Sequence, residues 1–123
     1  MPTGIYKLIS VACPVRYVSL VNDNIVGHSE ESGIMTEWYV KFSEGDIATF
    51  QAVRDGKVCD EYIYFDGNFF VKEVSTGSSF RHFSIDIGGG NDRTWTLTSE
   101  AENSPIKGER KTGSAEQLWM FKK

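Results

Sequence analysis

The stretch Glu116-Gln117-Leu118-Trp119-Met120-Phe121 reads as a closing strand, and it has two earlier echoes, Trp38-Tyr39-Val40-Lys41-Phe42 and Phe83-Ser84-Ile85-Asp86-Ile87. In each, an aromatic leads and apolar residues return at the second position, the spacing that turns one face of a strand toward a core. A second set of aromatics keeps the same step. Tyr6, Phe50 and Trp95 head strand-like runs 44 and 45 residues apart, and each is followed two residues later by Leu8, Ala52 or Leu97. Within each unit the distance from first to last aromatic is 32, 33 and 24 residues, so the third unit is truncated.

A period near 40 with four short strands suits a propeller blade or one third of a β-trefoil. Three copies fall short of the four blades of the smallest propellers. The expected fold is therefore an all-β trefoil in a single domain over 1–123, with repeats at approximately 4–45, 46–91 and 92–123. Between the markers, Gly4 to Ile9, Tyr17 to Val21 and the run from Ile25 read as strands of the first unit. Asn22-Asp23-Asn24 is a turn cluster that tolerates left-handed backbone. Arg54-Asp55-Gly56-Lys57 is a hairpin signal, because the glycine supplies a positive φ. Asp66-Gly67-Asn68, between Tyr62–Phe65 and Phe69–Val71, predicts a second hairpin of the same kind. Pro105 to Thr112 is poor strand sequence, which predicts a short or irregular hairpin in the third unit.

Composition bounds the function. Apolar residues make up 40% and charged residues 24% of 123 positions, as in ordinary soluble domains. Thirteen basic and 17 acidic residues, scattered along the chain, give a net charge of −4. No basic stripe tracks a phosphate backbone, so nucleic acid is not an expected partner. Neither is a membrane, because no apolar run has the length to span one. The N-terminal residues enter a strand without a charged-then-apolar leader, predicting a cytoplasmic protein or one secreted by a non-classical route. Cys13 and Cys59 are the two cysteines; two separate thiols are expected, with a disulfide left open by sequence. There is no CxxC pair and no His/Cys cluster, so neither a metal nor another cofactor is expected.

Gly4-x-Tyr6-x-Leu8 at the start and Glu116 to Phe121 at the end resemble the small β-trefoil proteins of mushrooms. That group includes mycocypin cysteine-protease inhibitors, fungal trefoil serine-protease inhibitors and ricin-B-like lectins. The resemblance implies twelve strands, six in a barrel and six capping it as three hairpins about a pseudo-threefold axis. It also implies a defence protein, without choosing among the activities.

Catalysis has little support. His28 and His82 are the only histidines, neither lies beside a nucleophile elbow, and both read as surface or edge residues. Gly88-Gly89-Gly90 lacks the Lys-Ser/Thr of a phosphate loop. The favoured reading is a protease inhibitor that blocks a cleft with a rigid exposed loop. By resemblance, the candidate loops are Ala12-Cys13-Pro14-Val15-Arg16, Glu31 to Met35, and Arg54-Asp55-Gly56-Lys57. Pro14 would stiffen the first, and Arg54 or Lys57 could enter an acidic trypsin-type pocket, making a serine protease the favoured target and a cysteine protease the second. The alternative is a lectin. Gln117-x-Trp119 matches the ricin-type Gln-x-Trp signature, but its counterparts Thr36-x-Trp38 and Arg81-x-Phe83 keep only the aromatic. Asp66 and Asn68 near Tyr64 offer the planar ring and hydrogen-bonding groups that a glycan needs. A third reading is a trefoil for protein contact, since alternation makes it hard to bury all of Tyr62, Tyr64, Phe65, Phe69 and Phe70.

Overall fold

The computed structural model of this protein describes residues 1–65, 67–89 and 92–123. Eleven strands are formed in chain order: β1 Gly4–Ser10, β2 Tyr17–Val21, β3 Asn24–His28, β4 Glu37–Phe42, β5 Ile47–Arg54 and β6 Lys57–Tyr62, then β7 Phe69–Val74, β8 His82–Ile87, β9 Arg93–Leu97, β10 Ser104–Arg110 and β11 Trp119–Lys122. A 3-10 turn, Ala115–Gln117, precedes the last strand. Antiparallel pairing runs β1–β2–β3–β10–β9–β8–β7–β5–β4 and returns to β1, so nine strands close a circuit. β11 bridges β1 and β8, and β6 is a flap on β5. The fold is a β-trefoil.

The aromatic markers are where the period puts them. Tyr6, Phe50, Trp95, Trp38, Phe83 and Trp119 are all buried, as are Leu8, Ala52 and Leu97. Pairing sets them against one another: Tyr6 lies opposite Trp38, Trp38 opposite Ala52, and Phe83 opposite Trp119. Phe50, Phe69 and Trp95 meet with ring centroids 4.8 to 5.8 Å apart, the separation at which aromatic pairs add roughly 0.5–1.5 kcal/mol beyond area burial. The indole N–H groups of Trp38 and Trp119 donate to the Val18 and Trp95 carbonyls, tying β4 to β2 and β11 to β9.

Two turns follow their sequence signals. Val21 pairs with Asn24 across Asn22 (φ 51°) and Asp23 (φ 63°), and Arg54 pairs with Lys57 across Asp55 (φ 52°) and Gly56 (φ 76°). Two central residues with positive φ match the right-handed twist of the strands they join.

Three expectations are corrected. Eleven strands stand among the described residues instead of twelve. Among the described residues no ladder joins Tyr62–Phe65 to Phe69–Val71 in the hairpin expected around residue 67: β6 ends at Tyr62, and β7 pairs with β8 and β5. Burial overrides the turn signal here, because Ile63 turns inward, its amide donating to the Phe50 carbonyl, and Phe65 packs on Phe69 and Trp95. Conversely, residues 104–110 are a regular strand with Ser104 and Ile106 facing in. Pro105 still serves as an acceptor, its carbonyl taking the Thr98 amide at 3.4 Å and the Thr98 hydroxyl at 2.7 Å. A Cβ at Gly108 would stand 2.5 Å from Ile87 Cδ1, so the glycine that reads as a breaker makes room for a core side chain.

Cys13 and Cys59 are free thiols, as expected. Among the described residues no helix is long and apolar enough to cross a membrane.

Candidate functional site

Two of the loops proposed for protease contact fold their arginines back onto the protein. In the first, the Arg16 amide donates to the Cys13 carbonyl at 2.9 Å and the Cys13 amide to Ser10 Oγ at 3.1 Å, forming a compact turn with Pro14 and Val15 exposed. The Arg16 guanidinium is turned back onto the body, donating to the Glu100 carbonyl at 2.8 Å and lying 3.2 Å from Glu102. In the Arg54–Lys57 turn, Arg54 Nε donates to Glu61 Oε1 at 3.0 Å, and this carboxylate holds the guanidinium in its charged form. Asp55 and Gly56 form the tip, and Lys57 is the cation left outside any ion pair among the described residues.

The structure splits the aromatic cluster. Phe69 is in the core and Phe65 and Phe70 are half-buried, while Tyr62 is 56% and Tyr64 84% exposed. Tyr64 stands between two open depressions. One, of about 590 Å³, is lined by Val21 to Val26, Tyr64, Phe65, Asn103, Pro105 and Ile106. The other, of about 380 Å³, is lined by Leu20, Asp23, Ile25, Trp38 and Glu61 to Tyr64. Asp23, Ile25 and Tyr64 line both, so the two are halves of one cleft. Their volumes fall in the ~300–1,000 Å³ range of small-molecule sites.

Local folding explains what faces the cleft. The tight β2–β3 turn projects Asn22, Asp23 and Asn24 outward, all exposed. Asn24 Nδ2 donates to the Asn22 carbonyl at 3.0 Å, which fixes that amide and leaves its oxygen as an acceptor. Asn103, at φ 62°, donates its backbone N–H to the Gly27 carbonyl and enters from the loop before β10. Glu61, braced by Arg54, borders the second depression. An aromatic face ringed by amides and carboxylates suits a ligand with both C–H faces and hydroxyls.

Of the residues the sequence offered for a glycan, Tyr64 is at the cleft. Asn68 is exposed but outside its lining, its carbonyl accepting from the Gly88 amide at 2.7 Å. Asp66 lies outside the described residues. The Asn22–Asn24 turn and Asn103, which supply the polar groups instead, carry no motif. Their signal was the density of Asn and Asp at one tight turn, which reads equally as plain turn chemistry.

Gln117 acts on the scaffold. It is buried, its amide donates to the Arg110 carbonyl at 2.8 Å and to Thr96 Oγ1 at 3.2 Å, and its oxygen accepts from the Thr112 amide at 2.8 Å and the Gly113 amide at 3.2 Å. His82 is half-buried, its Nδ1 2.9 Å from Thr76 Oγ1. His28, expected at the surface, is 8% exposed.

No protein-family model matches the chain, and no curated protein matches it in sequence. Solved structures do resemble it. ThreeFoil, a designed threefold-symmetric protein, superposes with a TM-score of 0.73 at 14% identity over 97% of this chain and 98% of its own. A ricin B-like lectin of Macrolepiota procera, solved in complex with lactose, gives a TM-score of 0.71 at 17% identity over 99% and 96%. A mosquitocidal holotoxin gives 0.76 at 10% identity over 99% of this chain, which spans 17% of the toxin. At such identities the likeness establishes the β-trefoil fold.

Proposed function

We propose that this chain is a non-catalytic carbohydrate-binding protein whose site is the cleft around Tyr64. The observation that carries the reading is a tyrosine ring left 84% exposed between two depressions whose rim is Asn22, Asp23, Asn24, Asn103 and Glu61. Sugars present weakly polar C–H faces that stack on aromatic rings, and hydroxyls that bond to fixed amides and carboxylates. A trefoil neighbour that holds lactose supports the reading by analogy, since one fold hosts many functions. The test is a glycan array with the wild-type chain and Tyr64→Ala. Binding to a defined glycan set that is lost in Tyr64→Ala at unchanged melting temperature supports the reading; no glycan retained by the wild type sinks it.

Lys57 favours a second reading, protease inhibition by the Arg54–Lys57 turn. It sits exposed beside a turn whose two positive φ values fix the backbone. Trypsin left fully active by excess protein, or inhibited equally by Lys57→Ala, removes this reading.

A further inference from the structure

A cluster away from the cleft's aromatic face meets the requirements of a metal centre. His28 ends β3, Glu31 follows in the next loop, and Glu102 comes from the loop before β10. One ligand atom from each lies within 4.8 Å of the others. Two exposed carboxylates alone would say little. The histidine is the independent observation: its side chain is 10% exposed and aimed at them. Its Nδ1 lies 2.8 Å from the Ser29 carbonyl oxygen, which can only accept, so Nδ1 carries a hydrogen and Nε2 is the nitrogen that a neutral imidazole offers as a ligand atom. That nitrogen lies 3.7 Å from Glu102 Oε2. This is too long for a hydrogen bond, so Nε2 has no hydrogen-bond partner among the described residues.

The surroundings hold the carboxylates in place. Arg16 Nη1 lies 3.2 Å from Glu102 Oε1, and the Ser29 amide donates to the same oxygen at 2.8 Å. The Ser29 hydroxyl has one hydrogen to share between Glu102 Oε2 at 2.8 Å and Glu31 Oε1 at 3.0 Å. Two carboxylates against the one guanidinium of Arg16 make the surroundings of His28 Nε2 formally anionic, as a divalent cation requires.

We infer that His28 Nε2, Glu31 Oε1 and Glu102 Oε2 form a site for a borderline divalent cation of the zinc type, with water completing the shell. An imidazole with two carboxylates suits zinc and its neighbours over calcium or magnesium, which prefer all-oxygen sites. Ligand bonds of ~2.0–2.1 Å in a tetrahedron set ligand atoms ~3.4 Å apart, close to the Nε2–Oε2 separation, and the exposed carboxylates can turn inward to close the rest. The Nδ1–H to carbonyl bond is the outer partner that fixes the tautomer of a ligating histidine. The ion would clamp the end of β3 to the loop that carries Asn103.

The test is calorimetric titration of zinc chloride into chelator-treated protein at neutral pH. One ion per chain is expected, bound about tenfold or more weakly by each of His28→Ala, Glu31→Gln and Glu102→Gln and unchanged by His82→Ala. Because His28 is buried, Glu31→Gln is decisive if the histidine variant does not fold. As a check on the intact chain, zinc should move the His28 imidazole nitrogen resonances and spare those of His82. No zinc uptake, uptake that survives any of the three folded substitutions, or resonances of His28 that do not move, overturns the site.

Discussion

Replacing Gln117 by leucine keeps the size of the side chain and removes its polar end. Two of its bonds, from the Thr112 amide and to the Arg110 carbonyl, are short at 2.8 Å, and the two at 3.2 Å are weaker. A net hydrogen bond contributes about 1 kcal/mol, and a partner left unsatisfied in a buried setting adds about 1–3 kcal/mol. Thr96 is buried but keeps its bond to the Thr94 carbonyl, while Thr112, Gly113 and Arg110 are exposed enough for water to replace part of the loss. The sum is about 2–4 kcal/mol, a large share of the ~5–15 kcal/mol that holds such a domain together. For a chain of this length that corresponds to a fall in melting temperature of about 8–15 °C. Circular dichroism melts of wild type and Gln117→Leu measure it, with the neighbouring exposed Glu116→Ala as a control expected within about 0.5 kcal/mol. Glycan binding below the melt should be the same in both. A drop below about 2 °C, or loss of glycan binding by a folded Gln117→Leu, would refute the assignment of this residue to the scaffold.

Other outcomes follow from local geometry. Gly67 sits at φ 122°, and a Cβ there would lie 2.4 Å from the Gly88 carbonyl oxygen, so Gly67→Ala should cost about 3 kcal/mol or more. Gly56 has a positive φ but open space around it, so Gly56→Ala should cost about 1 kcal/mol; equal losses in parallel denaturant titrations would contradict the clash. The Glu102 carboxyl lies below its ordinary value of 4.5, chiefly through the Ser29 hydroxyl. Its folded value is thus lower than its unfolded one, and its stabilisation is present above pH 4.5 and lost as pH falls through the folded value. The stability gap between wild type and Glu102→Gln should therefore shrink below pH 4.5; a gap independent of pH from 7 to 3 would argue against it.

Barrel positions were legible because burial there is periodic. Tyr6, Phe50 and Trp95 had to face a shared axis, and a step of 44 or 45 residues repeats that constraint in plain sight. The Asp55-Gly56 turn was legible because its dihedrals demand those residues. What misled was competition between signals. Asp66-Gly67 announces a hairpin, yet Ile63 and Phe65 bury more by leaving the ladder. Pro105 and Gly108 announce a break, yet one gives its carbonyl and the other its missing Cβ to a strand. The cleft was half visible in Tyr64, and the rest was hidden because Asn22 and Asn103 are 81 residues apart and meet only through the β3–β10 pairing. The His28–Glu102 contact was invisible for the same reason.

The cleft is assembled from three unlike segments: the β2–β3 turn, the residues after β6, and the loop before β10. The threefold axis that repeats the core therefore does not repeat it. Valency follows from this. A chain with one such site can coat a glycosylated surface but cannot bridge two of them, so it should mask receptors without clumping cells unless two chains associate.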